Sequence, residues 1–186
     1  LMTKPSFTIK DAEAVGVTRL DLSRLVKKGL LERLSRGVYR NPQQETEAPI
    51  QIEDLLLAAQ NIPNGVICLI SALSYYEMTD QIPRVHWIAV PHKIKAPKRP
   101  LTRSVRMRNI TLGKVPLKIG RLKTFIFDRE RCVIDAFRYL DKETAIKALR
   151  LYLQTTESHQ PDFKKLNAYA RSLRTNIQEY MVALTA

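Results

Sequence analysis

The sequence predicts an α+β fold in two parts. A basic helix-turn-helix with a trailing hairpin comes first, and a small antiparallel sheet packed with helices follows. Three observations carry this. Two short segments near the N-terminus each begin at a threonine and end at a glycine, as capped helices do. Alternating apolar runs occupy the middle of the chain and give way to apolar spacings of three and four. A polar, acidic, proline-bearing stretch separates the two parts. The chain has 186 residues, enough for a small module and a medium one. The expected divisions are 1–43, a linker and short helix over 44–63, and 64–186.

Charge is the strongest global feature. The formal net charge is +13, and it is unevenly spread. Residues 1–43 carry net +5, 44–63 carry −4, 64–127 carry +10 and 128–186 carry +2. No acid occurs between Asp80 and Asp128. Fields of this kind attract polyanions. No apolar run is long enough to span a membrane, and there is no signal-peptide pattern. No long basic amphipathic helix points to a membrane surface. The chain begins Leu1-Met2, which is compatible with a missing upstream segment. Cys68 and Cys132 stand in apolar surroundings and read as reduced core residues of a cytoplasmic protein. His86, His92 and His159 form no metal-ligand spacing, so no metal or other cofactor is expected.

Thr8-Ile9-Lys10-Asp11 and Thr18-Arg19-Leu20-Asp21 both fit a capping box. Gly16 and Gly29 suit the helix ends, so helices are expected over about 9–15 and 19–28. The three residues Gly16-Val17-Thr18 make a helix-turn-helix joint. On the second helix Leu22, Leu25 and Val26 share one face, and Leu20, Ser23, Arg24 and Lys27 fall away from it. A leucine on that outer face is explained if it meets thymine methyl groups or the following hairpin. Residues 30–34 and 38–40 can pair around Ser35-Arg36-Gly37, with Arg33, Arg36 and Arg40 on the ribbon.

Helix, turn, helix, basic hairpin is the order of a winged helix. A short basic helix fits the major groove, and an arginine-tipped hairpin fits the backbone or the adjacent minor groove. Arg19, Ser23, Arg24 and Lys27, with Thr18 at the helix start, are the expected groove contacts. Lys28, Arg33, Arg36 and Tyr39 are the expected phosphate and wing contacts. The competing reading is a winged helix that serves only protein interaction.

The stretch "LSRLVKKGLLERLSRGVYR" resembles the N-terminal winged helix-turn-helix of the AbiEi family, antitoxins of bacterial abortive-infection toxin–antitoxin pairs. The matching positions are Lys28-Gly29, Leu30 to Leu34, and Arg36-Gly37-Val38-Tyr39. The family usually places a further helix before the one expected at 9–15, and only eight residues precede it here.

"NPQQETEAPIQ" (41–51) reads as a linker, and Glu53 to Gln60 as a short helix ending near Pro63. Residues 65–78, "GVICLISALSYYEM", favour a helix by length, although β-branched residues cluster early. "VHWIAV" (85–90) is apolar on both faces and reads as a central strand. "PHKIKAPKRPL" (91–101) reads as a basic protrusion. "VRMRNI" (105–110) alternates, with Arg106 and Arg108 on one side. "KVPLKI" and "LKTFIF" flank a hairpin at Gly120-Arg121. Asp128 can cap one helix, and Asp141 or Thr144 another. Asp162 opens what reads as the longest, with a stripe from Phe163 to Leu184.

This second part also resembles the AbiEi C-terminal domain. The residues that carry it are "GVICLISALSYYEMTDQIP" (65–83), "VHWIAVP" (85–91) and "DRERCVIDAFRY" (128–139). The pattern Asp-x-Glu-Arg-x-x-x-Asp recurs in that family at one helix start. The position after its arginine is often threonine there and is Cys132 here.

Asp128, Glu130 and Asp135 do not all share a helix face, and no nuclease pattern accompanies them. They read as a cap, a dipole complement and an i, i+4 partner for Arg131. No nucleophile elbow and no Gly-rich phosphate loop occur. A second basic surface, Lys93, Lys95, Lys98, Arg99, Arg103, Arg106 and Arg108, reads either as a solvated face or as a further polyanion contact. The expectation is a non-enzymatic DNA-binding repressor. The resemblance implies that it binds inverted repeats in its own double-stranded promoter, as a monomer in solution with two copies on DNA. The resemblance also implies that its C-terminal domain counteracts a nucleotidyltransferase toxin. The rivals are a stand-alone regulator without a toxin and a nuclease with a winged-helix targeting domain.

Overall fold

The computed structural model describes residues 6–35, 37–42, 50–95, 98–120, 122–154, 156 and 160–185. It is α+β. The chain divides into two compact units, 1–57 with 118–123, and 58–117 with 124–186.

In the first unit, strand β1 (Ser6–Thr8) leads into helix α1 (Ile9–Glu13) and then helix α2 (Arg19–Lys27). Both helices start at full capping boxes. Thr8 and Thr18 each accept from the backbone N–H three residues on, and Asp11 and Asp21 each accept from the threonine's own N–H. That reciprocal pairing satisfies two of the open donors at each helix start. Gly16 and Gly29 then turn the chain with φ of 80° and 70°, a conformation that a Cβ would strain. Strands β2 (Glu32–Ser35) and β3 (Val38–Arg40) follow as an antiparallel pair.

The strand β1 is not anticipated from the sequence. Three residues carry no readable period, yet β1 pairs antiparallel with β3, Phe7 opposite Tyr39, to give a three-stranded sheet of order β1-β3-β2. Phe7, Ala12, Leu22 and Tyr39 form the core of this unit, with Ile9, Val17, Val26 and Leu31 against it. Two expectations change as a result. Tyr39 is 7% exposed and its ring stacks on Phe7, so it belongs to the core and not to a contact surface. Arg40 does not stand out from the ribbon. It donates to Glu32 at 2.6 Å and to the buried Glu53 at 3.4 Å. Arg36 lies outside the described residues.

Helix α3 (Ile50–Gln60) begins earlier than expected, inside the stretch read as linker. Residues 43–49 of that stretch lie outside the described residues. Strand β4 (Val66–Ile67) and helix α4 (Leu69–Tyr75) then replace the single helix expected over 65–78. The β-branched pair is the decisive signal. Val66 and Ile67 are fully buried between two neighbouring strands, where such side chains pack well.

The larger sheet adds β5 (His86–Pro91), β6 (Thr102–Met107), β7 (Lys114–Ile119) and β8 (Leu122–Phe127), in the order β6-β5-β4-β8-β7. It is mixed, not antiparallel. Strand β4 runs antiparallel to β5 but parallel to β8, and β5 runs parallel to β6. The cause is the basic stretch after β5. It carries the chain back so that β6 starts beside the start of β5, His86 opposite Thr102. Strand β6 therefore occupies 102–107 and not 105–110. Strand β5 is the covered inner strand expected, with Ile88, Ala89 and Val90 fully buried.

Helices α5 (Arg129–Tyr139), α6 (Lys142–Leu153), α7 (Phe163–Ser172) and α8 (Gln178–Thr185) complete the chain, and Asp128, Asp141 and Asp162 cap the first three. The long helix expected from Asp162 is two helices. Arg174 takes a left-handed φ of 53°, and the Thr175 N–H bonds back to Ala170 O. The Asn176 side chain then accepts from the Gln178 N–H and starts α8. The apolar stripe is kept only in part: Leu166, Ala170 and Ile177 are buried, Met181 is buried in place of the half-buried Tyr180, and Phe163, at 46% exposed, stands outside it.

Candidate nucleic-acid interface

Helix α2 presents two opposite faces. Leu22 is fully buried, and Leu25 and Val26 are partly covered. Leu20, Ser23, Arg24 and Lys27 all lie on the exposed side, and so does Lys28 at the helix end. At 100° per residue, positions 20, 23, 24 and 27 form one stripe. The stripe is basic and polar except for Leu20.

Local pairing orients several of these groups. Arg19 Nε donates to Glu13 Oε1 at 3.2 Å, which draws it toward the end of α1. Arg24 lies 3.8 Å from Asp21, with most of its side chain still open to solvent. Among the described residues, no acid pairs with Lys27 or Lys28. The Thr18 hydroxyl donates to Asp21 Oδ2 at 2.6 Å and receives the Asp21 N–H. Its polar atoms thus serve the cap. The hydrogen bonds from the Thr18 side chain and backbone hold the Asp21 carboxyl below its usual 3.8, with Arg24 adding to them against slight burial. Glu13, as the partner of Arg19, is the residue sequence reasoning missed. It is six positions away on a different helix, and only the turn brings it near.

On the hairpin, Arg33 is exposed. Gly37 has φ of 83°, and its carbonyl accepts the Ile9 N–H at 3.0 Å, tying the hairpin to the start of α1. For Arg40, burial works against the charge, but the hydrogen bond and carboxylate of Glu32 prevail with Glu53, and its pKa is raised.

The unit so assembled is a helix-turn-helix followed by a two-stranded ribbon, closed by a strand from the N-terminus. Residues 2–42 match the family model of the AbiEi antitoxin transcriptional regulators. No curated protein matches the chain. The matched segment covers both helices and all three strands of the smaller sheet, and it ends before α3.

Outside the matched segment, the second basic group does not form one face. Lys93, Lys95, Lys98 and Arg99 are exposed along the loop after β5, and Arg108 beyond the end of β6. Arg103 and Arg106 are three apart on β6, so they point to opposite faces of the sheet. Arg103 stacks over the Trp87 ring at 4.2 Å, beside which it is registered. The continuous patch expected from the alternation of Arg106 and Arg108 thus omits Arg103.

The acids of "DRERCVIDAFRY" make a structural network. Asp128 Oδ1 caps α5 by accepting the Arg131 N–H at 2.9 Å. Its other oxygen accepts from Tyr169 and lies 3.1 Å from Lys165. Glu130 stands in the first turn of α5, where it complements the helix dipole as expected, and it is buried there. It is 6% exposed, pairs with the same Lys165 at 2.9 Å and accepts from the Tyr152 hydroxyl at 3.0 Å. Arg131 is fully buried. It donates to Asp135 at 2.7 Å and to Leu112 O at 2.7 Å, and its guanidinium lies over the Phe127 ring. Asp135 also accepts from Arg138 at 2.7 Å. Each carboxylate has a cation, as buried charges require. Burial works against the charge of Lys165, but its bonds to Glu130 and Asp128 raise its pKa.

Burial also pushes the Cys68 and Cys132 thiols well above their ordinary value, which removes the thiolate that reactivity needs. Among the described residues, no group of three His, Cys, Asp or Glu could hold a metal ion. No described helix is long and apolar enough to cross a membrane.

Proposed function

We propose that the chain is a non-enzymatic repressor that binds double-stranded promoter DNA, with α2 in the major groove and the β2–β3 ribbon as a wing. The observation that carries this is the exposed stripe of α2, where Ser23, Arg24 and Lys27 face outward opposite the buried Leu22. Lys28 and Arg33 would extend it along the backbone, and the AbiEi match of residues 2–42 supports the same reading. Residues 1–43 would be the DNA-reading module, 44–63 a connection and 64–186 the antitoxin part. That part would counteract a nucleotidyltransferase toxin. Inverted repeats in the promoter would seat two copies of the chain, with Lys93, Lys95, Lys98 and Arg99 available to extend the footprint.

The test is fluorescence anisotropy on the chain's own promoter fragment against scrambled DNA, at ~50 and ~200 mM salt. Arg24→Ala/Lys27→Ala is compared with the unmodified protein. The promoter should be preferred, and the double variant should lose roughly 1–3 kcal/mol of that preference for each base no longer read. Equal binding to both DNAs, unchanged in the variant, would sink the proposal.

A further inference from the structure

We propose that Leu20 reads thymine, packing its side chain on the C5-methyl group of a thymine in the major groove. The inference rests on the DNA-reading role given to α2 above. Leu20 is the second residue of α2 and is 62% exposed. The first turn of a reading helix is the part that reaches base edges. Three, four and seven residues on stand Ser23, Arg24 and Lys27, all exposed, so Leu20 is the apolar member of the outward stripe. At that exposure, the β2–β3 ribbon does not cover it.

Exposed leucines are ordinary in themselves, so placement carries the argument. Among the described residues, the other exposed large aliphatics of the first unit, Val15 and Leu30, stand in the connections after α1 and α2 and not on a helix face. Around Leu20 the polar groups are held in place. Thr18 is in its cap, Arg19 is drawn to Glu13, and Arg24 leans toward Asp21. An apolar group within a polar stripe meets an apolar group in the groove at least cost. In the major groove the thymine methyl is the apolar group that a base offers.

The experiment uses the full chain and its promoter fragment, amplified with either thymidine or deoxyuridine triphosphate. Uracil keeps every hydrogen-bonding edge and removes only the methyl. The unmodified protein should bind the uracil fragment about fourfold more weakly for each methyl touched, the equivalent of ~0.8 kcal/mol at ~1.4 kcal/mol per tenfold. Leu20→Ala should bind the two fragments alike, while Leu20→Met keeps the discrimination. Since Leu20 is exposed, the thermal midpoint of Leu20→Ala should be unchanged. Single thymine replacements then locate the base.

The inference is overturned if the unmodified protein ignores the uracil exchange. It is equally overturned if Leu20→Ala discriminates as strongly as the unmodified protein. Failure of the DNA reading itself would show separately, as equal binding of thymine-containing promoter and scrambled DNA.

Discussion

At the scale of single residues, Gly113 and Asp21 show how tightly local geometry is set. Gly113 has φ of 71°, and a Cβ there would stand 2.6 Å from Arg131 Cβ and 2.9 Å from Asp128 Oδ1. Gly16 has φ of 80° and open space around it. Gly113→Ala should therefore destabilise by about 2–3 kcal/mol, while Gly16→Ala costs only the left-handed penalty of about 1 kcal/mol. Urea unfolding of the two variants checks the order. Asp21 supplies the pH test. Its folded pKa is depressed by Thr18, so its contribution to stability is present above the ordinary carboxylate value and is lost as pH falls through the lower folded value. A carboxyl titration followed by NMR should find Asp21 below 3.8, and Thr18→Ala should move it back up.

The network around Arg131 belongs to the same scale. From the sequence, the i, i+4 spacing to Asp135 reads as a pair, and the structure has that pair at 2.7 Å. The partners across the fold were not legible. Lys165 lies 35 residues from Glu130, and nothing in its neighbourhood marks it as the cation shared by two acids. Leu112 O, at the bottom of a turn, is equally silent in sequence.

At the scale of elements, helix starts were the most readable feature. Thr8, Thr18, Asp128 and Asp162 all cap as their side chains predict, and of Asp141 and Thr144 the aspartate is the cap, because a cap is a local hydrogen bond. Helix ends and short strands read worse. The break between α7 and α8 falls at Arg174, whose left-handed conformation an arginine does not advertise. Replacing Arg174 with glycine removes that strain. The gain, offset by the freer unfolded chain, should be about 0.5 kcal/mol of stability in thermal unfolding. A drop in stability would show that the arginine side chain holds the turn. Strand β1 was missed because its pairing partner, β3, lies some thirty residues on, and three residues have no period to read.

At the scale of the whole molecule, charge distribution and topology separate cleanly. The run from Asp80 to Asp128 without an acid is visible in the sequence, and so is the positive charge it concentrates. Its division between two sheet faces is not. It follows from Arg103 and Arg106 lying on a parallel edge strand, three residues apart. If the loop after β5 touches DNA, replacing Lys93, Lys95 and Lys98 by serine should lower the log–log salt slope of promoter binding by about one for each phosphate no longer neutralised. The preference for promoter over scrambled DNA should persist. An unchanged slope would assign the loop to solvent.

By itself the sequence determined the α+β class, the capped helix pair, the inner strand of the larger sheet and the exposed basic stripe of α2. These depend on side-chain period, local hydrogen bonds and formal charge, all of which act over a few residues. Only the tertiary structure decided the mixed direction of the sheet, the burial of Tyr39 against Phe7, the retreat of Arg40 to Glu53 and the binding of two acids to Lys165. Each of these joins residues that are distant along the chain. Their pairing is set by which surfaces the packed fold brings together, and that choice leaves no mark on the neighbouring letters.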